Sequence, residues 1–303
     1  MSVELRHLRY LLAVVEQGTF TRAADHLHVS QPTLSQQIKQ LERSVGMPLL
    51  ERGSRAVRLT DVGAVYVEHA RRALRELAVG ERAVHDVRDN SRGRLRIGVT
   101  PTFTAYLVGP LVAEFHGRYP GITIDISETT QDRIEAGLVA DDLDLGIGFA
   151  GPHASGVDAS PLFIETISLV SGGADLRDDV APVPVRSLAD RRLALLTRDF
   201  ATRRHIDAYL TESGVEPAIV MECDTIQALL EIVQCAGLAT VLPDEVTRDR
   251  SGLTSIGLVP PLPSRTVVLL RRDGGYCSAA ARAFIAVADE FVSAHGYERA
   301  TDH

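Results

Sequence analysis

The sequence predicts an α-helical head, a long connecting helix and a two-lobed α/β body. Three observations carry this. Two capped helical patterns meet at a tight turn between Gly18 and Leu41, an unbroken helical pattern covers 61–89, and strand and helix signals alternate from residue 94 onward.

In the head, Thr19 stands where a helix cap is wanted. Phe20, Ala23, Ala24 and Leu27 then form a short apolar face, with small residues where another helix must come close. After His28 and Val29, Ser30 caps a second helix. Pro32 falls in its first turn, where a missing N–H costs nothing. Leu34, Ile38, Leu41 and Val45 recur at helical spacing and face inward, leaving Gln31, Thr33, Ser35, Gln36, Lys39, Gln40 and Arg43 outside or on the flanks. Glutamine pairs with adenine, hydroxyls reach bases or phosphates, and Lys39 neutralises a phosphate, the division of labour of a base-reading helix. An ordinary solvated helix shows a similar surface, so the neighbouring segments matter. Pro48 to Thr60 sets Arg52, Arg55 and Arg58 among apolar residues around a Gly53 turn, a two-stranded wing suited to the phosphate backbone. The DNA-facing candidates are therefore Thr21, Arg22, Ser30, Gln31, Thr33, Ser35, Gln36, Lys39, Arg52 and Arg55.

Residues 61–89 continue as one helix without proline, carrying Val62, Val65, His69, Arg72, Leu77, Val84 and Val87 among charges. So long a helix is expected to pair with its copy from a second chain. The polar run DNSRGR at 89–94 reads as a hinge. Beyond it come a strand at 94–99, a helix through Leu111, Phe115 and Tyr119, a strand at 122–126, a helix near Ile134 and Leu138, and a strand at 142–149. These are right-handed βα units of a mostly parallel sheet. A second set runs from Leu162 to Leu258, with strands at 193–197, 218–223 and 238–242. The strand at 266–272 and the helix from Ser278 to His295 return to the first lobe. The expected boundaries are 1–60 for the winged head, 61–89 for the linker helix, 90–93 for the hinge, 94–161 with 268–303 for lobe 1, and 162–267 for lobe 2.

Open α/β sheets bind ligands at the carboxyl ends of their strands. Thr100 to Thr104, directly after the first strand, offers the hydroxyls of Thr100 and Thr102 with Phe103 beside them, a setting for a small anion; helix capping is the plainer role for these threonines. The second lobe faces them with Thr197, Phe200, Thr202 and Arg203. There Arg203 supplies charge to an anion or joins a surface ion pair. Thr130 and Phe149, at other strand ends, are wall candidates.

Net charge is −8, yet residues 1–60 hold 8 basic against 5 acidic side chains, leaving 24 against 35 for the remainder. The cationic part is the head alone, and an acidic body discourages non-specific contact with nucleic acid. No apolar run approaches the ~20 residues of a membrane span, and charges interrupt the N-terminal segment, so neither a membrane anchor nor a signal peptide is expected and the protein reads as cytoplasmic. Cys223, Cys235 and Cys277 lack CxxC spacing and read as buried small hydrophobes. No metal site or cofactor is expected. Gly146, Gly148 and Gly151 satisfy GxGxxG, but no helix follows to receive a pyrophosphate. Without a GxSxG elbow, Walker loop or HExxH, the chain reads as a non-enzyme, with Glu128, Asp142 and Asp144 as solvated strand and turn ends. A periplasmic solute receptor shares such a body but has no use for the first ninety residues.

The helix–turn–helix FTRAADHLHVSQPTLSQQIKQLE, the wing ending in RLTDVG, the long helix and the two-lobed remainder resemble a LysR-type transcriptional regulator across essentially the whole chain. One departure is Leu50, where many members carry phenylalanine. The resemblance implies a body of periplasmic-binding-protein type with an effector site between its lobes. Its partners would be double-stranded promoter DNA, RNA polymerase and further copies of the chain as a homodimer or homotetramer. The segments TPTFTAYLVGPL, DLGIGFA, DFATRRHIDAY, IQALLEIV and PPLPSRTVVLLRR are similar to the cyanate-responsive activators of cyanase operons, which implies cyanate as effector. A LysR-type regulator of another pathway, with a different small organic effector, is the alternative.

Overall fold

The computed structural model describes residues 3–51, 57–88, 93–172, 181–248 and 250–300. The chain divides into two compact units, residues 1–87 and 88–303.

The first unit contains α1 (Leu5–Gln17), α2 (Phe20–His26), α3 (Gln31–Val45) and α4 (Asp61–Arg88). The expected caps are in place: the Thr19 hydroxyl accepts from Arg22 N–H and the Ser30 hydroxyl from Thr33 N–H, each at 3.3 Å, with Pro32 in the first turn of α3. Gly18 adopts a left-handed φ of 69°, which ends α1 and lets α2 start at once. Ala23 and Ala24 are buried against Leu11, Val14, Leu34, Ile38 and Leu41, so their small size admits the neighbouring helices. Leu50 is buried in this core, which leucine fills. The wing shows, among the described residues, a single antiparallel bridge between Leu50 and Leu59, supported by the Glu51 N–H to Arg58 carbonyl bond at 2.9 Å. Along α4, Val62, Val65, Leu77 and Val84 remain exposed.

The second unit starts with β1 (Gly93–Val99), α5 (Pro101–Thr104), α6 (Val108–Arg118), β2 (Ile122–Glu128), α7 (Gln131–Val139), β3 (Leu145–Phe149) and β4 (Val157–Glu165). It continues with β5 (Ile167–Gly172), β6 (Val183–Pro184), β7 (Arg192–Leu196), α8 (Ala201–Glu212), β8 (Ala218–Cys223), α9 (Ile226–Ala236) and β9 (Ala239–Pro243), then closes with β10 (Leu253–Ile256), β11 (Leu258–Val259), β12 (Arg265–Arg272) and α10 (Ala279–Ala294). The first large sheet has the order β2-β1-β3-β12-β4 and the second β10-β5-β9-β7-β8, while β6 and β11 pair in a small parallel two-stranded sheet. In the first, β1 runs parallel to β2 and β3, while β12 is antiparallel to both its neighbours. In the second, β7 runs parallel to β8 and β9, and β5 is the reversed strand. The mostly parallel expectation thus gives way to mixed sheets. β5 follows β4, and β12 follows β11, without an intervening helix, and such a helix is what a parallel return requires.

These crossings move the expected lobe boundaries. Leu162–Glu165 pair within β4, and Arg265–Val267 within β12, so both stretches belong to the first sheet rather than to lobe 2. Hydropathy could not reveal this, because β4 and β5 form one nearly continuous apolar run and only the pairing partners separate them. The helix expected through Leu111 and Phe115 is preceded by the separate short turn α5 and stops at Arg118. Phe115 and Phe284 pack edge-to-face at 5.2 Å, bringing α6 and α10 onto the first sheet. Two of the GxGxxG glycines serve packing, since a Cβ at Gly146 would lie 2.5 Å from Ile134 Cγ2 of α7 and one at Gly148 3.0 Å from Leu270 Cδ1, whereas Gly151 faces open space. Among the described residues no helix is long and apolar enough to cross a membrane, and no cluster of metal-ligating side chains occurs.

Candidate functional site

The head presents one polar helix face. Thr21, Arg22, Ser30, Gln31, Thr33, Gln36, Lys39, Arg43 and Arg58 are exposed, while Ser35 is half-buried. Arg52 and Arg55 lie outside the described residues. The Ser30 and Thr33 hydroxyls are 2.7 Å apart, so one lone pair or proton of each is already committed.

What holds α3 in place was not anticipated. His7, fully buried, accepts from Glu4 N–H on Nδ1, so its Nε2 carries the proton and donates to Gln37 Oε1 at 3.1 Å. Glu42 Oε1 accepts from the backbone N–H groups of Leu49 and Leu50, fastening the end of α3 to the wing strand. In RLTDVG, the Thr60 hydroxyl donates to the Pro48 carbonyl and accepts from Gly63 N–H. A Cβ at Gly63 would fall 1.9 Å from the Leu49 carbonyl oxygen, so only glycine permits this closure.

In the second unit, two candidates expected on opposite lobes meet. The Thr102 hydroxyl on α5 lies 3.0 Å from the Thr202 hydroxyl on α8, and both residues are buried. Arg265, at the head of β12, joins them by donating from Nη2 to Thr202 at 2.8 Å and from Nε to Glu165 Oε2 at 2.5 Å. Its guanidinium carbon stands 3.6 Å from the centroid of the Phe149 ring, which in turn packs 4.9 Å from Phe103. Glu165 has no solvent exposure and takes a second hydrogen bond from the Tyr106 hydroxyl at 2.5 Å. Burial, with the Glu165 charge beside it, drives the Tyr106 pKa well above its ordinary value and keeps that hydroxyl a donor. Among the described residues, Arg265 Nη1 has no hydrogen-bond partner and neither has the buried Thr100 hydroxyl. Phe149 is held from behind by Gln131, which donates to its carbonyl at 3.0 Å and accepts from its N–H at 2.9 Å.

The other candidates lie apart from this network. Thr130 is exposed just before α7, and Thr197 is half-buried with its backbone bonded to Cys223. Phe200, half-buried, packs against the second lobe's own core. Of the two readings of Arg203, the structure has the ion pair, buried rather than on the surface. Arg203 is 1% exposed and spends its donors on Asp207, Glu222 and the Leu196 carbonyl, binding α8 to the ends of β7 and β8. That arrangement neutralises it. The cation at the cleft is Arg265, which the sequence reading missed together with Glu165 and Tyr106. A signal existed: Glu165 interrupts the apolar run LFIETISLV, and Arg265 opens a strand that is otherwise apolar to Leu270. Cys235 is exposed rather than buried, and Cys223 and Cys277 are only partly covered.

Comparison with known proteins agrees with this architecture. Residues 5–64 match the bacterial regulatory helix-turn-helix protein, lysR family, and residues 88–292 match the LysR substrate binding domain. The chain is 31% identical over 275 residues to the DNA-binding transcriptional dual regulator OxyR of Escherichia coli K12, covering 90% of each. It is 30% identical over 254 residues to the HTH-type transcriptional regulator AlsR of Bacillus subtilis, covering 81% of this chain and 82% of AlsR. Full-length OxyR C199D from Pseudomonas aeruginosa superposes with a TM-score of 0.74 at 24% identity, covering 100% of this chain and 99% of that one. The LysR-family regulator CbnR superposes with a TM-score of 0.57 at 25% identity, covering 94% and 100%. These matches over a helix-turn-helix head with a polar third helix and a two-lobed α/β body make this chain a member of the LysR family of DNA-binding transcriptional regulators.

Proposed function

We propose that the cleft around Arg265 receives a small anion and that its occupancy sets how the regulator holds its promoter. The observation that carries this is the unengaged Nη1 of Arg265, set beside hydroxyls of both lobes that touch at 3.0 Å. So narrow a gap favours a ligand of a few atoms. Cyanate, a small linear monoanion, has the charge and size for such donors, and a different small organic anion is the competing reading.

Several relatives are named hydrogen peroxide-inducible genes activators. A peroxide response by a thiol requires a thiolate. Burial and the neighbouring Asp224 charge instead push the Cys223 thiol up, and the cleft network is built of hydroxyl, carboxyl and guanidinium groups. Cys223 is thereby disfavoured as a peroxide-reactive thiolate, and the groups of the cleft suit an anion.

In this reading Thr21, Arg22, Ser30, Gln31, Thr33, Ser35, Gln36, Lys39, Arg52 and Arg55 face promoter DNA, and paired α4 helices present two heads to a dyad-symmetric site. Effector-domain contacts extend the dimer to a homotetramer in the cytoplasm that bends the DNA between two sites and engages RNA polymerase. A ligand that distinguishes two lobe arrangements by roughly 1 to 3 kcal/mol suffices to change that geometry. The test is a DNase footprint on DNA upstream of the protein's own gene, with and without millimolar cyanate, using wild type and Thr102→Ala. Cyanate shortens the wild-type protected region or removes its hypersensitive band, and Thr102→Ala binds DNA equally but does not respond. Protection unchanged by cyanate removes cyanate as effector, and a well-folded Thr102→Ala that loses DNA binding removes the cleft from sensing.

A further inference from the structure

Tyr106, whose hydroxyl belongs to the cleft network, also lines a separate cavity of about 330 Å³ formed by the start of α6, the turn after β9 and the end of α10. That size lies within the usual range of small-molecule sites. Around it stand Glu245, Arg248, Arg250, His295 and Tyr297. We propose that this cavity is a second ligand site, distinct from the cleft, that takes a small organic carboxylate with an apolar body.

Charge argues for an anion, because the residues that line the cavity include two arginines and one carboxyl group. Among the described residues, Arg250 reaches only Gln227 Oε1, at the long distances of 3.4 and 3.5 Å, and has guanidinium capacity to spare. Arg248 donates to the His295 carbonyl at 3.3 Å, sits 5.5 Å over the Tyr297 ring and approaches Glu245 only to 3.7 Å. Glu245 supplies the second, independent observation. Its side chain is 9% exposed, and its Oε2 is buried without a hydrogen-bond partner among the described residues. A buried carboxyl oxygen left in this state is costly and is relieved by a ligand that pairs with it. Burial raises the Glu245 pKa to about 7, with Glu165 and Asp244 adding and Arg248 opposing. The neutral acid therefore exists near neutrality, and its O–H donates to an incoming carboxylate while the arginines take the charge. Phe291, Tyr297 and Tyr106 provide apolar wall for the rest of the molecule.

The site stands whether or not the cleft takes cyanate. Its test is calorimetric titration of the full chain with sodium salicylate at pH 6.5, on wild type, Arg250→Ala and Thr102→Ala. The expected result is one-site binding that Arg250→Ala weakens about tenfold or more and Thr102→Ala leaves alone. Circular dichroism confirms that each variant keeps its fold. No binding up to about 10 mM, equal affinity in Arg250→Ala, or loss in Thr102→Ala alone overturns the proposal. Glu245→Gln keeps a donor and removes the proton. It retains binding and flattens the fall in affinity between pH 6 and 8, in which Glu245, His295, Arg248, Arg250, Asp244, Glu165 and Tyr106 are the facing charged or titratable groups. A Glu245→Gln variant that no longer binds, or that falls as steeply as wild type, refutes the carboxyl's role.

Discussion

Replacing Arg265 by methionine tests whether the cleft is held by a buried ion pair. Glu165 has no solvent exposure and Arg265 only 10% on its side chain, so solvent screens this pair little. Methionine conserves much of the aliphatic bulk but strands the Glu165 carboxylate with the Tyr106 hydroxyl as its remaining side-chain partner. Leaving one member of a buried pair uncompensated costs about 3 to 5 kcal/mol. In a domain of this size, each kcal/mol lowers Tm by about 2 to 4 °C, so Arg265→Met lowers the body's Tm by roughly 6 to 20 °C. Glu165→Gln with Arg265→Met removes both charges and recovers most of the loss, giving a coupling energy of at least about 1 kcal/mol in a double-mutant cycle. Tyrosine fluorescence during urea unfolding follows the body, because five of the seven tyrosines lie beyond residue 88 and the chain has no tryptophan. An Arg265→Met variant within about 1 kcal/mol of wild type, or a double variant no better than the single, refutes the reasoning.

Three further outcomes are expected. Gln31→Ala reduces discrimination between operator and random DNA, whereas Lys39→Ala weakens both and lowers the salt slope by about one; equal effects in gel shifts at several salt concentrations would contradict the division. Gly63→Ala forces a Cβ to within 1.9 Å of the Leu49 carbonyl, so the wing and α4 must separate. A loss of about 1 to 3 kcal/mol follows, with weaker operator binding, and an unchanged melting curve would contradict the contact. Glu245 has its folded-state pKa raised from 4.5 to about 7, so the native state binds the extra proton between those values. Its contribution is therefore present below pH 4.5, declines as pH rises and is lost above about 7. The whole loss is on the order of 3 kcal/mol, of which about 2 kcal/mol falls between pH 5.5 and 8; comparison of urea midpoints at those two values shows it in wild type and not in Glu245→Gln.

Local chemistry in the chain determined the head. Thr19, Ser30, Pro32 and Gly18 act within a turn of their own position, and the spacing of Leu34, Ile38 and Leu41 settles which side of α3 is buried, so caps, turn and exposed face follow from neighbours in sequence. The same locality made the alternation of strands and helices in the body legible, together with the placement of Thr102 and Thr202 near strand ends. Long-range pairing decided the rest. Glu165 and Arg265 are a hundred residues apart and meet only because β4 and β12 lie side by side, and Gly63 is required only because Leu49 arrives there. Of the partners of Arg203, Asp207 lies one helical turn on and is within reach of periodicity, whereas Glu222 comes from the neighbouring strand β8, nineteen positions on, outside any helical or strand period. Periodicity reports which face of an element is buried. Which charge meets which across two sheets is set by strand order, and that order depends on the packing of the whole body.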